Sequence, residues 1–166
     1  AGDVFGENYV RFSRAGVPVD YVLAEDICSN PGSYKLYVFA NCFRADENFR
    51  KAVSELRKRE TTLLWLYAPG AMDGDCVGDV KAMSSLTGLK LRLENDCMAA
   101  ESKMLDDGRL MGQRSARPKH LFSLEQADVV LGTYTNNSIA VGTAKTGNAQ
   151  SIFCGVWALD VPFVKS

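Results

Sequence analysis

Two uninterrupted apolar runs, "KLYVFA" at 35–40 and "TTLLWLYAP" at 61–69, constrain this chain more than any other feature. A strand with one wet face alternates polar and apolar residues. Runs without that alternation need cover on both faces, as in sheets flanked by helices. Between them Phe49, Ala52, Val53 and Leu56 recur at helical spacing behind Asp46, a residue suited to cap a helix start. Strand, helix and strand in that order predict a parallel pair with a crossover.

The flanking segments extend the pattern. "GENYVRFSRA" at 6–15 predicts a helix with Tyr9, Val10 and Phe12 on one flank, stopped by Gly16 and Pro18. "VDYVLAEDI" from Val19 reads as a strand closed by the turn "SNPGS". "GDVKAMSSLTG" predicts a short helix from Asp79 to Gly88, with Val80, Met83 and Leu86 inward, and "LKLRLEN" a strand with one wet face. Residues 96–119 carry many charges and little periodicity, which predicts an irregular excursion. Three short strand patterns then follow, "ADVVLGTYT", "NSIAVGTAKT" and "AQSIFCGVWAL", separated by "NN" and "TGN" turns, and they predict an antiparallel meander. The expected fold is one α/β domain over 1–166, a three-layer flavodoxin-like sandwich with a mostly parallel sheet and a C-terminal antiparallel meander. A first strand would ordinarily precede the first helix, and the chain opens at Ala1, so it reads as a fragment of a longer protein.

Charge balance narrows the partners. Nineteen basic residues meet twenty acidic ones, for a net charge of −1. The dense run "RKAVSELRKRE" lies on the polar face of a predicted helix, so no basic stripe points to nucleic acid. No apolar stretch reaches the roughly 18 to 20 residues of a membrane helix. The five cysteines (Cys28, Cys42, Cys76, Cys97 and Cys154) are widely spaced, and with the single His120 they form no zinc pattern. Free buried thiols are the expected state, with no metal and no cofactor.

Candidate chemistry gathers at the carboxyl ends of the two apolar strands, "FANCF" and "YAPGAMDGD". Cys42 is the candidate nucleophile, with His120 and Glu125 as the only base and orienting pair to consider. The plainer reading of Cys42 is a small buried hydrophobe. Gly70, Gly74 and Gly78 are too loosely spaced for a phosphate loop. Of the paired acids, Glu25 with Asp26 and Asp106 with Asp107 fit solvated turns, while Asp73 with Asp75 follows a strand end. A small-molecule pocket would use the rim Asn41, Pro69, Gly70, Met72 and Asp73.

The segments "YKLYVFANCF", "TTLLWLYAPGAMDG", "SSLTGLKL", "VVLGTYTNNSIAVGTAKTG" and "SIFCGVWAL" together resemble the trimerisation-type domain of β-galactosidases and related large glycoside hydrolases, from about Pro18 to Phe163. The resemblance implies a class I glutamine amidotransferase-like fold, placed after a catalytic TIM barrel in the same parent protein. It implies a non-catalytic role in assembling a homo-oligomer or shaping a neighbouring active site. Active amidotransferases of that shape carry their cysteine on an elbow after the strand matching "TTLLWLYAPG", where this chain has Ala68, Pro69 and Gly70. Cys42 falls one strand earlier, at a place resembling their oxyanion loop, and His120 precedes the meander, so no catalytic residue carries over. The alternatives are a small amidotransferase-like enzyme using Cys42 and a small-molecule binding module.

Overall fold

The computed structural model describes residues 4–73, 76–94, 98–114, 118–157 and 159. In chain order the elements are α1 (Val4–Ser13), α2 (Ala24–Ser29), β1 (Leu36–Phe39), α3 (Glu47–Leu56), β2 (Thr62–Leu66), β3 (Met72–Asp73), β4 (Cys76–Val77) and α4 (Val80–Thr87). There follow β5 (Leu91–Glu94), β6 (Ala100–Met104), β7 (Leu110–Gln113), β8 (Leu121–Leu124), β9 (Val129–Thr133), β10 (Ile139–Thr146) and β11 (Ala149–Cys154).

The expected mostly parallel, flavodoxin- and amidotransferase-like three-layer sandwich is not what forms. Nine strands make one curled mixed sheet, a half-barrel with few helices. The order runs β1-β2-β11-β10-β9-β6-β7, with β8 joined to β10 and carrying β5 at its side. Only β1, β2 and β11 run parallel: Val38 lies opposite Leu64, and Leu64 opposite Ile152. The other pairings in this sheet are antiparallel. The physical reason lies in 98–114, where β6 and β7 form within the stretch expected to be an irregular excursion, and β8 follows it. Antiparallel hairpins need no crossover helix, so the sheet grows by curling rather than by gaining a helical layer.

The two apolar runs are covered on both faces, as their composition requires. Leu63 and Trp65 of β2 face a core with Phe39, Phe49, Val53, Leu56, Met83 and Phe153. Leu64 and Leu66 face a second core with Phe12, Met104, Met111, Leu121 and Val141. The first is closed by α3 and α4, the second mainly by the sheet's own curl, with α1 reaching it through Phe12. Each large apolar side chain buried by α3 stabilises the fold by about 1.5–3 kcal/mol.

Local signals fix the helices. The Asp46 carboxylate accepts from the Phe49 amide at 2.8 Å and Asp79 from the Ala82 amide at 2.9 Å. Gly88 ends α4 at φ +74°, a left-handed turn natural to glycine. Segment 19–23 forms no strand, and α2 starts within the stretch read as one. On α1 the expected flank divides, with Phe12 buried and Tyr9 and Val10 exposed.

Candidate functional site

The parallel pairing of β1, β2 and β11 brings three chain ends to one edge of the sheet: Asn41 to Phe43, Tyr67 to Gly70, and Gly155 to Trp157. Carboxyl ends of parallel strands are where open sheets place ligands, because the backbone leaves the sheet there and diverges.

The first two ends are laced by main chain. The Gly70 amide donates to the Cys42 carbonyl at 2.7 Å, and the Met72 amide to the Phe43 carbonyl at 2.9 Å. Met72 also bridges to Arg44 in parallel. Gly70 sits at φ +69°, a conformation that favours glycine, and a Cβ there would stand 2.9 Å from Leu86 Cδ2 and displace that side chain. Of the expected rim, Gly70 and Met72 are thus brought together, with the candidate nucleophile Cys42 beside them. Pro69 and Gly70 are buried, Met72 is half-buried and Asn41 is exposed. Asp73 lies in the small β3–β4 hairpin, its side chain outside the described residues, as is Asp75.

Cys42 is half-buried, and burial pushes its thiol up to about 11, with a hydrogen bond from the Asn41 backbone pulling the other way. No hydrogen bond or ion pair joins it to His120 or a carboxylate among the described residues. His120 instead opens β8, with Gly78 against its ring: a Cβ on Gly78 would lie 3.2 Å from Nδ1. Glu125 is exposed at the far end of β8, its amide bonded to the Lys90 carbonyl. Of the other acids, Asp26 accepts from the Leu23 amide at 3.1 Å and Asp107 from the Arg109 amide at 3.0 Å, both turn and cap roles. Among the described residues no three His, Cys, Asp or Glu side chains gather as metal ligands would.

The aromatic residues at these ends gave no signal of their own in the sequence pattern. Tyr67 ends β2 at φ +60°, a backbone state uncommon outside glycine and asparagine. Its hydroxyl donates to the His120 carbonyl at 2.6 Å, and its ring meets Trp157 edge-on at 5.0 Å, Phe122 at 6.0 Å and Phe43 at 6.3 Å between centroids. Burial raises the Tyr67 phenol above its usual value. Trp157 is held in turn from α1: Asn8 Nδ2 donates to the Trp157 carbonyl, and Asn8 Oδ1 accepts from the Leu159 amide at 3.1 Å. Aromatic residues closing apolar runs read as core, and only the strained φ sets Tyr67 apart.

No protein-family model matches the sequence, and no curated protein does. Solved structures are similar in fold. The polyextremophilic β-galactosidase of the Antarctic haloarchaeon Halorubrum lacusprofundi superposes with a TM-score of 0.70 at 15% identity, over 99% of this chain and 26% of that one. The cold-adapted β-galactosidase of Rahnella sp. R3 gives 0.70 at 16%, over 98% and 25%. A catalytic mutant of a GH42 β-galactosidase from G. stearothermophilus gives 0.68 at 18%, over 98% and 24%. The chain spans about a quarter of the length of these structures, and it has the fold of a domain-sized part of large glycoside hydrolases.

Proposed function

We propose that this chain is a non-catalytic accessory domain of a β-galactosidase-like glycoside hydrolase, of the trimerisation type, whose partner is the catalytic domain of the same parent. It serves subunit assembly or forms part of the wall of an active site built elsewhere. The observation that carries this reading is the segment from Val17 to Leu23. Val17 is 62% exposed, Val22 49% and Leu23 70%, and Val19 and Tyr21 are exposed beside them. Tyr21 adds to the same surface through a tilted ring contact with the exposed Tyr9, centroids 4.7 Å apart. A run of large apolar side chains left in water is costly, and such patches mark surfaces that another body covers. The raised Cys42 thiol supports the reading from the other side, because a protonated sulfur is a poor nucleophile at neutral pH.

The test is the purified chain incubated with an aryl β-galactoside and, separately, with L-glutamine. The reading expects no release of aryl alcohol or ammonia above a buffer blank. Turnover that follows the concentration of this chain through a final chromatographic step ends it.

A further inference from the structure

Strand β1 ends the sheet order, and β2 is its only neighbour among the described residues. The Lys35 carbonyl accepts from the Thr62 amide at 2.8 Å, and Leu36 lies opposite Thr62. In a parallel ladder that register turns the main-chain groups of Tyr37 and Phe39 toward β2 and those of Leu36 and Val38 away from it. Neither Leu36 nor Val38 has a main-chain partner on that outer side among the described residues. The strand carries no proline, bulge or charge, devices that ordinarily blunt an exposed edge. Its side chains are open as well, with Leu36 44% exposed and Tyr34 just before it 40%. Segment 19–23 completes the pattern. Its sequence favours a strand, yet nothing pairs with it, and the Tyr34 hydroxyl donates to the Asp20 carboxylate beside the same edge.

Parallel strands joined through a helix cross over in the right-handed sense. A helix on one face therefore carries the chain one way along the sheet, and a helix on the other face carries it the opposite way. Helix α3 packs on the first core and carries the chain from β1 to β2. Helix α2 packs on that same core through Ile27, so 19–23, which enters β1 through α2, belongs on the open side of β1. Helix α1 packs on the second core through Phe12, so a strand leading into α1 belongs between 19–23 and β1. We propose that the open edge of β1 takes up a parallel strand from the segment of the parent polypeptide that leads into α1, and that 19–23 pairs with the outer side of that strand. A single added neighbour then accounts for both unpaired edges. The added strand must be apolar on both faces, because beside it Tyr37 and Phe39 face the first core and Val38 the second. The antiparallel part of the sheet stays as it is. This inference rests on the reading of the chain as part of a larger parent, and the superposed β-galactosidases, of which it spans about a quarter, hold ample chain to supply one strand.

The test is hydrogen exchange read at single amides, on the purified chain and on the parent expressed from its complete reading frame. In the isolated chain the amides of Tyr37 and Phe39 should be protected and those of Leu36 and Val38 open. In the parent, Leu36 and Val38 should slow about a hundredfold or more, together with alternate amides from Val19 to Leu23. Exchange at Leu36 and Val38 as free in the parent as in the isolated chain overturns the proposal, as does slowing on β1 without slowing in 19–23. Protection of the isolated chain that rises with its own concentration gives the edge to a second copy and also overturns it. Turnover of an aryl β-galactoside by the isolated chain would end the accessory reading while leaving this exchange pattern as it stands, so the two failures are distinguishable.

Discussion

The hydroxyl of Tyr67 donates to the main-chain carbonyl of His120 at 2.6 Å, tying the end of β2 to the start of β8 across 53 residues of sequence. Removing that hydroxyl leaves the carbonyl without its partner while the ring and its packing remain. Tyr67→Phe should therefore destabilise the fold by about 1 kcal/mol. Urea denaturation monitored by tryptophan fluorescence reads this directly. An unchanged midpoint would mean that the bond is replaced at no cost by solvent.

Glu94 gives a pH dependence. Its carboxylate accepts from Asn136 Nδ2 at 3.0 Å, from Arg92 Nε at 3.0 Å and from the Ser123 hydroxyl, pinning β5 to β8 and to the β9–β10 turn. Burial raises its pKa, but the hydrogen bonds from Ser123, Asn136, Arg92 and Ser138 outweigh burial and leave it below the usual value. A depressed folded pKa means that this stability is fully present above the unfolded value of about 4.3 and is lost as pH falls through the lower folded one. Glu94→Gln should cost about 1–3 kcal/mol at pH 7 and progressively less below about pH 4. Urea midpoints of both proteins at neutral and acid pH test it, and a pH-independent difference would contradict it.

Cys42 should be a slow thiol. With its pKa pushed up to about 11 by burial, on the order of one part in ten thousand is thiolate at pH 7. Cys28 is exposed, although slight desolvation and then Asp46 and Glu25 also raise its pKa. Iodoacetamide at neutral pH, followed by peptide mass spectrometry, should label Cys28 well before Cys42. Faster labelling of Cys42 would contradict the geometry.

Gly155 follows β11 where three neighbours crowd in. A Cβ there would overlap the Tyr134 hydroxyl and stand 2.6 Å from the Phe122 carbonyl oxygen and 3.2 Å from that of Ala140. Tyr134 donates to that same Phe122 carbonyl at 2.9 Å. Gly155→Ala should cost about 3 kcal/mol, with a fall in Tm of about 10 °C by calorimetry.

What was legible in the sequence is what local chemistry decides. Asp46, Asp79 and Gly88 announced α3 and α4 because caps act within one turn. The "NN" and "TGN" turns announced the β9–β10–β11 meander, with Asn137 at φ +66° and Gly147 at φ +72°. Strand β6 escaped because its inward positions are Ala100, Ser102 and Met104, and a buried serine blurs the alternation. Segment 19–23 misled in the opposite sense: Val19, Tyr21 and Val22 favour a strand, but no neighbour pairs with it. Continuous burial was also a poor guide to direction. All four residues of β8 are buried, yet it pairs antiparallel with β5 and β10. The aromatic cluster at Tyr67 was hidden because partners 53 and 90 residues away, His120 and Trp157, leave no local trace.

A non-catalytic domain performs no glycoside chemistry of its own. A fluorinated galactosyl fluoride traps the covalent glycosyl-enzyme intermediate of retaining glycosidases, so intact-mass spectrometry reads the claim directly. After prolonged incubation the expected mass is unchanged. A stoichiometric gain of one fluorogalactosyl group on a carboxylate of this chain would contradict it.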